Sequence, residues 1–168
     1  MVTQWVPLYE STPEAVKSEI AAFFEVFPKG TIWSNDESGK GCDIVLLGQM
    51  EPLHIDIDGL EDRLASLPYI YAKKSLQDVG FNSVIDLLGT YGGRASDLTP
   101  WLANAQINRD RNLRLQYLAG MGMNSYHEGF IYDEMLKYRK FPDDLFIATP
   151  ITRAQVWNAI EIVKHGPR

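Results

Sequence analysis

Residues 2–9 have the apolar pattern of a strand, and residues 11–30 have the apolar pattern of a helix. "VTQWVPLY" (2–9) alternates and is rich in β-branched and aromatic residues, which predicts a strand ending near Pro7. "STPEAVKSEIAAFFEVFPKG" (11–30) instead repeats its apolar residues at helical spacing. Ser11 or Thr12 can cap this helix. Its predicted buried face comprises Val16, Ile20, Phe23, Phe24 and Phe27.

Two further strands are predicted after this helix. "TIWS" (31–34) and "CDIVLLG" (42–48) are strand-like runs, and the polar, glycine-containing "NDESGKG" (35–41) between them is typical of a hairpin connection. The second run is almost continuously apolar, as in a strand buried on both faces. Residues 1–50 therefore predict strand, helix, strand, strand, which is too little sheet for an independent core.

After Pro52 the pattern changes to short helices, several of them closed by glycine or proline. In the last predicted helix, residues 152–166, Thr152 and Gln155 have capping-box spacing. We expect residues 51–168 to be a helical extension that packs on the α/β segment of residues 1–50 as one structural unit. The predicted helices are "DGLEDRLASL" (58–67), "YAKKSLQDVG" (71–80), "SVIDLLGTYG" (83–92), "LTPWLANA" (98–105), "RNLRLQYLAG" (111–120), "FIYDEMLKYRKF" (130–141) and "TRAQVWNAIEIVKHG" (152–166).

Charge and composition exclude several classes of function. The 168 residues carry a net charge of −6, which opposes binding to a phosphate backbone, so we expect no nucleic-acid partner. The chain has no apolar run of the ~18 residues that a spanning helix needs and no N-terminal signal pattern. We therefore expect a cytoplasmic protein without membrane insertion. The single cysteine, Cys42, excludes an internal disulfide and is interpreted as a small buried thiol.

The sequence provides little support for a metal or phosphate site. The histidines are far apart and match no zinc-binding spacing. "HIDIDG" (54–59) resembles the start of a calcium loop, but Ala65 occupies the position that requires a bidentate glutamate. A capped helix start at Asp58 explains this segment better. The glycines of "GTYGGR" (89–94) and "GMG" (120–122) are interpreted as helix ends, because neither group follows a predicted strand.

A cluster of arginines stands out in this acidic chain. "INRDRNLRLQYLAG" (107–120) contains Arg109, Arg111 and Arg114. These guanidinium groups could clamp a phosphate or a carboxylate. Alternatively, they could form ion pairs within the fold, because Asp110 lies between them and acidic residues are in excess. We favour ion pairs that hold the helical extension to the sheet, since charged clusters beside apolar helices usually pair internally.

Two blocks of the sequence resemble a known enzyme family. The segment "VTQWVPLYESTPEAVKSEIAAFFEVFPKGTIWSN" (2–35) followed by "DIVLLG" (43–48) resembles the closing part of the spermidine synthase family of aminopropyltransferases, particularly its long bacterial forms. The 107–120 block resembles a segment that these forms carry further on. The resemblance extends from Val2 to about Phe146. It implies the end of a methyltransferase-like (Rossmann-type) sheet, in which a strand and a helix precede an antiparallel pair of strands.

The resemblance also implies an activity and an amine-binding position. The family transfers an aminopropyl group from decarboxylated S-adenosylmethionine to putrescine. Gln4 is similar in placement to a glutamine that holds the polyamine, and Trp5 would line the same pocket; both also fit as ordinary strand residues. The family's Thr-Tyr-Pro-x-Gly stretch is absent from "TIWSNDESGKG" (31–41), which departs from the pattern for polyamine specificity.

The residues that bind the donor belong to the front half of the family's catalytic domain. Neither its glycine-rich loop nor its catalytic aspartate occurs in this sequence. We therefore predict that the chain binds no cofactor by itself, has no catalytic residue and is inactive alone. A second hypothesis is a non-catalytic assembly subunit, in which a partner chain or a second copy covers the edge of strand 2–9.

Overall fold

The computed structural model describes residues 1–35, 43–122 and 126–165, and it is a mixed α/β structure. The strands are β1 (Val2–Pro7), β2 (Thr31–Asn35), β3 (Asp43–Gly48), β4 (Ile55–Asp56), β5 (Tyr91–Arg94) and β6 (Phe146–Ile147). The helices are α1 (Pro13–Val26), α2 (Ile57–Ala65), α3 (Ile70–Asp78), α4 (Val84–Gly89), α5 (Ala95–Leu98), α6 (Arg114–Met121), α7 (Glu128–Leu136) and α8 (Pro150–His165). A 3₁₀ turn, Leu67–Tyr69, leads directly into α3. None of the helices described is long and apolar enough to cross a membrane.

The predicted order of strand, helix, strand, strand is confirmed in β1, α1, β2 and β3. Thr12 caps α1 and accepts a hydrogen bond from the amide of Ala15 at 3.2 Å, while Pro13 occupies the first turn, where no N–H is needed. Cys42 and residues 36–41 of the predicted hairpin connection lie outside the described residues.

The main sheet has four strands in the order β1-β3-β2-β5, and each adjacent pair is antiparallel. Because β1 and β2 are both antiparallel to β3, they run parallel to each other, and α1 makes the crossover between them. A second, two-stranded parallel sheet pairs β4 with β6. The prediction of an α/β class is confirmed.

Strand β5 corrects the prediction of a helix over residues 83–92. Helix α4 ends at Gly89, and Tyr91–Arg94 pairs with β2. Gly92 and Gly93 favour this outcome, because glycine is a poor helix former and Gly93 has a φ of 145°, which other residues rarely adopt. The ring of Tyr91 packs against that of Trp33 with centroids 5.6 Å apart. A segment assigned to the helical extension thus supplies a strand of the main sheet.

Several helix boundaries also differ from the predicted ones. The prediction of a helix over 98–105 is wrong: α5 ends at Leu98, and the following residues form turns around Pro100, which has no N–H to continue a helix. The cap of α2 is Asp56 rather than Asp58, and it accepts from the amide of Gly59. At the start of α8 the hydroxyl of Thr149 accepts from the amide of Thr152.

Two apolar clusters hold the structure together. The first lies on the α1 side of the sheet, where α7 and the Leu98–Trp101 segment pack with α1 against β1, β2 and β3. The second lies on the opposite side, where α4, α8 and the small sheet cover β5 and part of β2. Both clusters contain side chains from residues 51–168, and both include or contact side chains of the first 50 residues.

Candidate functional site

The outer edge of β1 is open. β1 pairs along its length with β3, from Val2 opposite Gly48 to Pro7 opposite Asp43. No strand in the described part of the chain pairs with its other edge. The backbone groups of such an edge can hydrogen-bond to an added strand. Pro7 lacks an N–H, so added pairing is best supported along Val2–Val6.

Successive side chains of β1 point to opposite faces of the sheet. Gln4 faces α1, where its Nε2 donates to Oε1 of Glu19 at 2.6 Å, and Val6 is fully buried on the same side. Trp5 lies on the other face, is 52% exposed and contacts Tyr9, with ring centroids 6.2 Å apart. The structure therefore does not bring Gln4 and Trp5 together in one pocket.

The face opposite α1, called here the far face, carries a row of side chains at one level across all four strands. Trp5 pairs with Val45, Val45 with Trp33, and Trp33 with Tyr91. Exposure changes along this row: Tyr91 is fully buried, Trp33 and Val45 are half-buried, and Trp5 is half-exposed. The far face is thus covered at the β5 end and open at the β1 end.

A cavity of about 650 Å³ lies between the far face and the neighbouring helices. Its volume is in the range of ligand-binding clefts, and its walls are largely apolar. Its apolar lining comes from β2 and β3, from the segment before β4, and from α2 and α4. These side chains are Trp33, Leu47, Leu53, Leu60, Leu87 and Leu88, together with Met1 and Ile55.

The polar groups of the cavity are mostly committed to local structure. His54 donates from Nδ1 to the carbonyl oxygen of Asp144 at 2.9 Å, and Asp56 caps α2. Thr90 donates to the carbonyl of Leu87. Arg63 forms no ion pair among the described residues. This arrangement can receive an apolar surface, but the lining residues that the structure describes include no paired nucleophile and base.

A smaller cavity of about 240 Å³ adjoins β5. Arg94 lines it and binds two carboxylates, Asp97 at 3.2 Å and Asp144. The hydrogen bond from Arg94 lowers the pKa of Asp144. Burial works to lower the pKa of Arg94, but its hydrogen bond to Asp144 and the nearby carboxylates outweigh that effect and raise it. These ion pairs fasten β5 to α5 and to the segment before β6.

The three arginines of the 107–120 block have different surroundings. Arg109 donates from Nη2 to both carboxylate oxygens of Glu25 on α1, at 2.8 and 3.1 Å. Arg111 is exposed and has no ion pair among the described residues. Nε of Arg114 is buried without a hydrogen-bond partner. The block therefore does not present a converging guanidinium clamp.

Asparagines organise this block, and the sequence analysis did not select them. Asn112 accepts through Oδ1 from the amides of Arg109 and Arg114, and Asn108 accepts from the amide of Leu115. Leu113, between Asn112 and Arg114, adopts a left-handed conformation with a φ of 44°. These bonds explain why α6 begins at Arg114 instead of Arg111. The preference of asparagine for such turns was the available signal.

The cavity residues were also missed, because they come from separate segments without a shared motif. No group of three side chains that could hold a metal occurs in the described part of the chain. No family model, curated protein or solved structure matches this chain.

Proposed function

We propose that this chain is a non-catalytic docking module that completes an α/β sheet of the spermidine synthase type. In this proposal a donor-binding half, in the same polypeptide or in another, adds a strand to β1 and covers the open part of the far face. The observation that carries the proposal is the row from Tyr91 to Trp5, which is buried at one end and uncovered beside the open β1 edge.

The direction of the strands supports this type of partner. β1 and β2 are parallel, α1 crosses between them, and β3 lies antiparallel in the gap. This agrees with the ending that the resemblance implies for a methyltransferase-like sheet, in which a helix and an antiparallel pair of strands follow a strand. A donor-binding half would continue such a sheet from β1, and the cavity beside Trp33 and Leu47 would receive its apolar side chains.

By the same resemblance, the completed assembly would act in the cytoplasm and transfer an aminopropyl group from decarboxylated S-adenosylmethionine to putrescine. That reaction requires a carboxylate to take the amine proton and a pocket that aligns the amine with the sulfonium carbon. The donor loop and the catalytic aspartate would come from the other half. Gln4 would reach an amine only if it left Glu19, so its predicted binding role is secondary in this proposal.

Sedimentation of the chain with a polypeptide carrying the donor-binding half of a spermidine synthase-like protein tests the docking proposal. We expect a one-to-one complex that Trp5→Asp abolishes and Tyr126→Asp, at another exposed aromatic position, leaves intact. Absence of a complex would contradict the proposal. A dimer of the chain alone that Trp5→Asp dissolves would instead identify a second copy as the occupant.

Calorimetric titration tests the enzymatic part separately. The chain alone should give no saturable heat with decarboxylated S-adenosylmethionine or with putrescine. Saturable donor binding would show that these residues build a donor pocket themselves, and the assignment of a non-catalytic role would be wrong.

A further inference from the structure

The helical run Leu67–Asp78, called here the arm, projects its side chains into solvent. None of its residues is buried. Leu67 is 83% exposed and Tyr71 is 82% exposed. Exposed apolar side chains that adjoin one another can mark an interaction surface. Ile70, also at the surface, lies between them in sequence.

The exposed apolar residues of the arm share one helical face. Leu67, Ile70, Tyr71 and Lys74 have the i, i+3, i+4, i+7 spacing that places side chains together. Leu76, on another side of the arm, is partly buried. The outer face therefore combines aliphatic and aromatic groups with a cation.

The charge of this region is opposite to that of the whole chain. The arm contains two basic residues, Lys73 and Lys74, and one acidic residue, Asp78, whereas the whole chain carries a net charge of −6. Lys73 and Lys74 take part in none of the ion pairs among the described residues. These cations are available to an anionic surface.

We propose that the arm binds the surface of an anionic lipid bilayer. Leu67, Ile70 and Tyr71 would enter the interfacial region, and the cations would meet lipid phosphates. The arm residues line none of the cavities described above, which favours an extended surface over a small molecule. Attachment is peripheral in this proposal, and it is independent of docking at β1.

Co-sedimentation with phosphatidylcholine vesicles, with and without phosphatidylserine, tests the proposal. We expect the chain to bind only the vesicles that contain phosphatidylserine, and we expect rising salt to release it, because salt screens exposed charges. Equal binding to both vesicle types, or binding to neither, would overturn the proposal.

Paired substitutions locate the binding surface. Removing two cations with Lys73→Gln and Lys74→Gln should weaken binding about thirtyfold, from about 1 kcal/mol for each charge. Leu67→Ser with Tyr71→Ser should also weaken it. The matched controls Arg111→Gln with Lys140→Gln, and Met50→Ser with Tyr126→Ser, change exposed residues elsewhere and should bind as the parent does.

Sedimentation of the lipid-free protein tests whether a second copy of the chain covers the arm. If Leu67→Ser with Tyr71→Ser changes its sedimentation coefficient from that of a dimer to that of a monomer, a second copy covers the arm and the lipid proposal is wrong. The docking assay relies on the Trp5→Asp variant and contains no lipid, whereas the vesicle assay relies on variants of the arm. The docking proposal and the lipid proposal can therefore fail independently.

Discussion

Gln4 on β1 donates a hydrogen bond of 2.6 Å to the carboxylate of Glu19 on α1. Burial raises the pKa of Glu19, while the bond from Gln4 acts in the opposite direction. Because successive side chains of a strand alternate between faces, Gln4 lies with Glu19 on the covered side of the sheet and Trp5 lies on the open side. Two neighbouring residues thus have different roles, one within the core layer and one at the candidate docking surface.

The raised pKa of Glu19 predicts a pH dependence of stability. The folded state binds this proton more tightly than the unfolded state, so its contribution to stability is full in acid, below the ordinary value of 4.5, and falls as the pH rises through the folded pKa. Glu19→Gln should therefore be more stable than the parent near neutral pH and lose this dependence. Urea unfolding at several pH values measures it, with Glu51→Gln as an exposed control. A variant less stable than the parent at neutral pH would contradict the expectation.

The ion pair of Arg109 predicts unequal effects within the arginine cluster. Arg109→Ala should lower the free energy of unfolding by about 0.2 to 1 kcal/mol, the usual range for an exposed pair. Arg111→Ala should change it less, because Arg111 has no ion pair among the described residues. Thermal melts in low and high salt measure both variants. Equal melting temperatures would show that the contact with Glu25 contributes nothing.

Buried Arg139 predicts a larger loss of stability. Its side chain donates to the carbonyl oxygens of Tyr91 at 3.2 Å and Ile160 at 2.8 Å, joining β5 to α8. Arg139→Met would remove both of these buried hydrogen bonds from a charged donor and should destabilise the protein by about 2 to 4 kcal/mol. Denaturant unfolding measures the change. Lys140→Met, at the exposed neighbouring position, should stay within about 0.5 kcal/mol of the parent; a similar loss in both variants would refute the role of Arg139.

Two glycines predict changes of opposite sign. A Cβ at Gly48 would lie 2.5 Å from Cγ of Phe27 and 2.8 Å from Cζ of Phe23, so Gly48→Ala should destabilise by about 1 to 3 kcal/mol through overpacking. A Cβ at Gly120 in α6 would meet nothing within 4 Å, so Gly120→Ala should stabilise by about 0.5 to 1 kcal/mol. Calorimetric melting measures both. A stabilised Gly48→Ala variant would show that the Phe23 and Phe27 rings can move aside.

Local sequence patterns predicted the elements whose signals lie within one segment. The repeat of Val16, Ile20 and Phe23 indicated α1, and its structure agrees because that face packs against the sheet. β5 was missed because its stability as a strand depends on pairing with β2, distant in sequence. Propensity and periodicity describe only near neighbours, so they cannot register such a partner.

The candidate site was less predictable than the fold. Trp5 was selected from a resemblance, while the cavity residues Trp33, Leu47 and Leu60 carry no common motif. Arg109 was selected because it belongs to a cluster of arginines. Its partner Glu25 could not be identified from sequence, because it lies in α1, 84 residues away along the chain. The sequence predicted a helix over residues 71–80, which overlaps the arm. It did not indicate that none of the arm residues would be buried.

The strand-helix-strand-strand order of the first 50 residues could be predicted from sequence, because alternation and helical spacing are properties of the local chain. The sequence also determined the net acidity that disfavours a nucleic-acid partner. Only the folded structure shows that β3 lies between β1 and β2, that β5 is the other edge strand of the sheet, and that Gln4 and Trp5 face opposite sides. The physical reason is that backbone pairing and burial join distant segments, and these contacts decide which edge and which face remain open.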